Sequence, residues 1–83
     1  MLVNAKTIIR TSNTTIQPDG FYAWRMVNGG TATLYVMGQT VAPGDLLDMT
    51  HVPAEAEWQT PISVVKATGE GTIRAEFLLL YFN

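Results

Sequence analysis

The chain has no cysteine, a single histidine and few charges. Without cysteine there are no disulfides and no thiolate metal sites. The lone histidine, His51, leaves nothing from which to build a multi-histidine metal centre. The basic residues Lys6, Arg10, Arg25, Lys66 and Arg74 are scattered, and the formal net charge is −2. Nothing here draws the chain to nucleic acid or to an anionic membrane, so neither is expected as a partner. No apolar stretch approaches the roughly 20 residues of a membrane-spanning helix. The opening MLVNAKTIIR lacks the charged-then-apolar order of a signal peptide. The chain is therefore expected to fold in the cytoplasm of the cell that makes it.

What is present is a single domain, residues 1–83. A chain of this length buries only about 60–65% of the surface its unfolded form exposes, so its core is thin. Small domains often gain a staple from a disulfide, a metal or a partner subunit. With cysteine and histidine clusters absent, the partner subunit remains. Charged residues make up 14% of the chain, against about 25% in an ordinary soluble domain. A surface so poor in charge is expected to be partly covered, which points to a homo-oligomer.

Turn residues recur along the chain: Pro18-Asp19-Gly20, Asn28-Gly29-Gly30, Gly38-Gln39, Pro43-Gly44, Pro53, Pro61 and Gly69-Glu70-Gly71. Turn signals at this spacing between apolar runs read as an all-β sandwich or barrel. Strands are expected near residues 5–11, 21–28, 32–38, 45–50, 61–67 and 72–82. The one helical candidate is VPAEAEWQ, residues 52–59, a turn or two. The fold class is thus all-β: a small antiparallel β-sandwich or β-roll of about six strands.

In residues 21–28 one face carries Phe21, Ala23, Arg25 and Val27, and the other Tyr22, Trp24, Met26 and Asn28. Both are mostly apolar, as in a central strand or one that meets a partner. Asn28-Gly29 is a hairpin signal, because both residues tolerate positive φ. Pro43-Gly44 suits a type II turn, with glycine at the position that needs positive φ. Residues 28–49 therefore read as a three-strand meander whose glycines serve backbone geometry. A phosphate-cradling loop would need a strand-to-helix context and usually a lysine.

The same segment resembles small β-rich virion proteins of tailed bacteriophages, among them decoration, fibre and connector-associated proteins. The residues that carry the resemblance are Asn28, Gly30, the strand Leu34–Met37, Gly38, Val41, Pro43, Gly44 and Asp45. It covers about a quarter of the chain and implies a structural component of a virion, with other virion proteins as further partners. It transfers no catalytic or ligand residue.

The candidate sites read as follows. A Ser-His-Asp triad from Ser63, His51 and Asp48 fails because Ser63 falls within the strand pattern PISVVK, not on the strained turn a nucleophile needs. Asp45, Asp48, Glu55 and Glu57 have irregular spacing and no calcium-loop core. A glycosidase would need two carboxylates facing across a cleft, and a sandwich this small offers little cleft. No catalytic, metal or cofactor residue is assigned, no cofactor is expected, and the chain is expected not to be an enzyme. Trp24, Tyr35 and Trp58, with Tyr22 nearby in sequence, could present stacking faces to a sugar; a carbohydrate-binding module is the alternative function. Asn13-Thr14-Thr15 matches a glycosylation pattern that matters only on a secretory route. Phe77–Phe82 is continuously apolar, as in a strand buried on both faces. Tyr22, Trp24, Met26, Phe77, Leu79, Tyr81 and Phe82 are the expected core or interface residues. The reading is a self-associating structural protein, located in the virion if phage-derived and otherwise cytoplasmic.

Overall fold

The computed structural model describes residues 3–49, 57–67 and 69–82. These form eight strands: β1 (Val3–Arg10), β2 (Thr14–Ile16), β3 (Phe21–Asn28), β4 (Leu34–Val36), β5 (Gln39–Val41), β6 (Leu46–Asp48), β7 (Ile62–Lys66) and β8 (Ala75–Phe82). They make two four-stranded antiparallel sheets, a front sheet in the order β1-β8-β3-β6 and a back sheet in the order β2-β7-β4-β5. The all-β sandwich expected from the turn spacing is the fold.

The core lies between the sheets and follows from strand alternation. In the front sheet one cross-strand row reads Ile8, Phe77, Met26, Leu47, and it turns inward. Phe77 and Met26 in its centre are buried, and Ile8 and Leu47 pack at the sides. The back sheet answers with Ile16, Leu34, Val36, Val41, Ile62 and Val64, all buried. Each large apolar side chain so buried contributes about 1.5–3 kcal/mol. The most apolar strand, β8, takes the place with most cover, paired to β1 on one side and β3 on the other.

Strand β3 departs from simple alternation. A bulge between Phe21 and Ala23 shifts its register against β8. An extra residue at that point lets Phe21 and Trp24 both enter the core. The two-face division expected from the sequence therefore holds only from Ala23 onward.

Two further expectations change. Strands β2 and β5 were not anticipated, since each spans three residues and three residues cannot display a period. Residues 28–49 are not a meander: β3 and β6 belong to the front sheet, and β4 and β5 to the back sheet. The chain crosses between layers after Asn28 and returns before Leu46. Asn28-Gly29 is accordingly not a hairpin turn. The positive-φ glycines among the described residues are Gly20, Gly38, Gly44 and Gly71, without Gly29.

The tight hairpin lies one element later. Met37 and Gly38, with φ of 52° and 80°, join the paired residues Val36 and Gln39 as a two-residue turn of the kind that needs positive φ twice. The Pro43-Gly44 expectation fits the structure: Gly44 has φ 85°, and the Asp45 N–H donates to the Ala42 carbonyl at 2.9 Å. Residues 57–59 of the expected helix are not helical, and its other residues, with His51 and Glu55, lie outside the described residues.

Candidate functional site

Asn28 ends β3 at the point where the chain leaves the front sheet. Among the described residues it is the buried polar one, and the interior requires such a group to be hydrogen-bonded. Its side-chain amide donates to the carbonyls of Ala32 and Val41, each at 2.9 Å. Its Oδ1 accepts from the Gly30 N–H at 3.2 Å. Its backbone carbonyl accepts from Gly44 N–H and its own N–H donates to the Asp45 carbonyl. Asn28, Gly30, Val41, Gly44 and Asp45, spread over residues 28–45, thus share one hydrogen-bonded knot. Its role is framework.

Beside this knot the 29–33 connection lies against residues 71–74. Gly29 and Thr31 N–H groups donate to the Arg74 and Thr72 carbonyls, and Thr72 N–H donates to the Thr31 hydroxyl at 2.8 Å. A Cβ on Gly30 would strike the backbone of Thr72 and Arg74, so the closeness of the two loops depends on that glycine.

The expected core or interface residues divide in one direction. Trp24, Met26, Phe77 and Leu79 are core. Tyr22 is buried outside that cluster. Tyr81 is partly buried against the core, edge-on to Phe21 with centroids 6.1 Å apart. Phe82 closes β8, and its side chain is outside the described set. The Tyr81 hydroxyl donates to Asp19 Oδ1 at 2.8 Å. Partial burial, followed by this hydrogen bond and the negative charge of Asp19, pushes the hydroxyl up to about 12.

The aromatic platform does not form. Trp24 is fully buried and meets Trp58 edge-on, with centroids 5.5 Å apart. Trp58 is partly buried, and its indole N–H donates to the Thr60 carbonyl. Tyr35 points outward from the back sheet, opposite Val65 and Thr40. Three residues in three environments offer no common face to a sugar. The Trp24 Nε1 has no hydrogen-bond partner among the described residues, so its burial carries a cost set against a large apolar contact.

Ser63 is an outward residue of β7, opposite Thr15 of β2. Asp45, Asp48 and Glu57 are exposed, and among the described residues no three His, Cys, Asp or Glu side chains gather as metal ligands. An open groove of about 400 Å³ is lined by Thr11, Ser12, Asn13, Lys66, Gly71, Thr72 and Ile73. Asn13 is already engaged there, its Oδ1 accepting the Lys66 backbone N–H at 3.0 Å.

The outer face of the front sheet holds the surface that stands out chemically. Register places Ile9, Glu76, Val27 and Leu46 side by side in one row across all four strands. Ile9, Val27 and Leu46 are 43%, 39% and 51% exposed. Glu76, the one charge in the row, is held by Arg74 Nε at 3.0 Å. The next row reads Thr7, Leu78, Arg25, Asp48, so opposite charges again sit across from one another. The face is apolar with its charges matched. Strand alternation alone puts Arg25 and Val27 on one face of their strand and Glu76 with Arg74 on one face of theirs. The row itself depends on the register of four strands distant in sequence.

Compared with known proteins, the chain matches no family model, no curated protein and no solved structure.

Proposed function

We propose that this chain is a non-enzymatic structural protein that assembles with copies of itself. The observation that carries the reading is the row Ile9–Glu76–Val27–Leu46, a charge-neutral apolar strip across the outer face of the front sheet. An interface of ordinary size buries about 800 Å² per partner. At about 25 cal/mol per Å² a fully apolar face of that size gives a gross term near 20 kcal/mol counted on one partner alone, from which association costs of about 4–15 kcal/mol are subtracted. The balance supports assembly at micromolar concentration. The setting is the virion of a tailed bacteriophage, as the resemblance carried by Asn28, Gly30, Gly38, Pro43, Gly44 and Asp45 implies. The knot around Asn28 supports this in one respect: those residues serve a frame and not a reaction.

Light scattering across a concentration series tests the proposal. The expected result is a mass at a multiple of 9.1 kDa. A single-chain mass throughout, from a protein that unfolds cooperatively, overturns it.

A further inference from the structure

Each sheet has two edges, and an unpaired strand edge offers N–H and C=O groups to another chain. Among the described residues, three of the four edges are short: β6, β2 and β5 have three residues each. The fourth, β1, has eight. It pairs with β8 without a register shift from Val3 to Arg10. It contains no proline, and the side chains of Asn4–Thr7, Ile9 and Arg10 are exposed. Long and regular, β1 has no proline or bulge at its edge; its edge charges are Lys6 and Arg10, whose guanidinium donates to the Ile9 carbonyl at 3.4 Å.

Resting on the self-assembly reading above, the geometry points to β1 as a second contact of that assembly, separate from the outer-face strip: the β1 strands of two copies pair antiparallel about a two-fold axis at Thr7, joining two front sheets into one of eight strands. The register follows from charge and overlap. A two-fold axis perpendicular to the sheet pairs residues that share a face, so it passes through a residue. Lys6 and Thr7 are the centres that keep most of the strand paired. Centring on Lys6 sets two ammonium groups directly opposite, which is destabilising. Moving one step past Thr7, to Ile8, sets Lys6 against Arg10 of the second copy. Centring on Thr7 avoids both. Thr7 then faces Thr7 of the second copy, a favourable cross-strand pair. Lys6 faces Ile8, and Arg10 faces Asn4.

The outer face gains continuity from the same register. Ile9 comes to lie beside Ala5 of the second copy, whose own row contains Leu80 and Ala23. The apolar strip of one copy thus runs on into the apolar row of the next. Lys6 and Arg10 of both copies gather on the opposite face as exposed cations at diagonal positions. Salt screens that repulsion, so the dimer tightens with added salt.

The absence of native cysteine allows a direct test. Residues directly opposite in an antiparallel pair have Cα atoms about 4.5–5.5 Å apart, within the range of about 4.4–6.8 Å that a disulfide spans. Thr7→Cys, at an exposed site, is expected to give a covalent dimer under mild oxidation at low micromolar concentration. Lys6→Cys and Ile9→Cys, whose symmetry mates lie further apart, are expected to stay single chains. If the unmodified protein shows a multiple mass by scattering but Thr7→Cys does not cross-link, the β1 seam is wrong and self-assembly stands. If the unmodified protein has the mass of one chain and Thr7→Cys does not cross-link, both fall. Equal cross-linking of all three variants overturns the Thr7 register.

Discussion

The Asn28 side-chain amide donates to the carbonyl of Val41 at 2.9 Å, tying the end of a front-sheet strand to the end of a back-sheet strand. The bond closes the excursion of residues 29–41 into the second layer. Its partner contacts to Ala32 and Gly30 leave the amide satisfied in a site without solvent. Asn28→Ala leaves buried acceptors unpaired and is expected to cost about 1–3 kcal/mol. Asn28→Asp turns a carboxylate toward two carbonyls and is expected to cost about 3–5 kcal/mol, as an uncompensated buried charge does. Urea denaturation of both variants measures the difference; an aspartate variant as stable as the alanine one would contradict it.

The glycines separate two causes of cost. No atom lies near a Cβ added to Gly44, but its φ is 85°. Gly44→Ala is therefore expected to lose only the backbone term, about 1–2 kcal/mol. Gly30→Ala instead drives a methyl into the backbone of Thr72 and Arg74. About 3 kcal/mol is expected there, the upper end of overpacking costs. Thermal midpoints should fall in that order.

Tyr81 gives a pH signature. Its hydroxyl titrates near 10.0 when free and at about 12 in the fold. The folded state holds the proton that the unfolded state releases, so this stabilisation is complete below about pH 10 and is lost as pH rises toward 12. Absorbance of tyrosinate should show one of the three tyrosines ionising late. Asp19→Asn removes the carboxylate charge and should bring that titration earlier, though burial keeps it above the ordinary value.

The outer strip should be separable from folding. Val27 and Leu46 are exposed, and substitutions at such positions usually change stability by no more than about 0.5 kcal/mol. Losing one buried apolar side chain from an interface removes at least about 1.5 kcal/mol, or roughly tenfold in association. Val27→Lys and Leu46→Lys are each expected to shift the mass-versus-concentration curve by that factor while the urea transition stays in place. Unchanged association in both would remove this face from the assembly.

Much of the architecture was written in the sequence. The spacing of turn residues and the alternation in β3, β7 and β8 are local properties, and they specified an all-β chain. Pro43-Gly44 specified its turn for the same reason: both residues have restricted or permitted φ before any contact is made. The apolar strands marked Trp24, Met26, Phe77 and Leu79 as core or interface; the packing of the two sheets made them core.

Only tertiary structure decided which sheet each strand joined. Asn28-Gly29 has hairpin chemistry, yet Asn28 was recruited to satisfy carbonyls from Ala32 and Val41, and the chain crossed layers instead. The bulge at Phe21 and the three-residue strands β2 and β5 exist because distant strands supply their partners. Cross-strand register likewise decided that Ile9, Val27 and Leu46 share one exposed row. Each residue's periodicity gives its face, but the neighbour across the sheet is chosen by pairing over tens of residues, which no local pattern encodes.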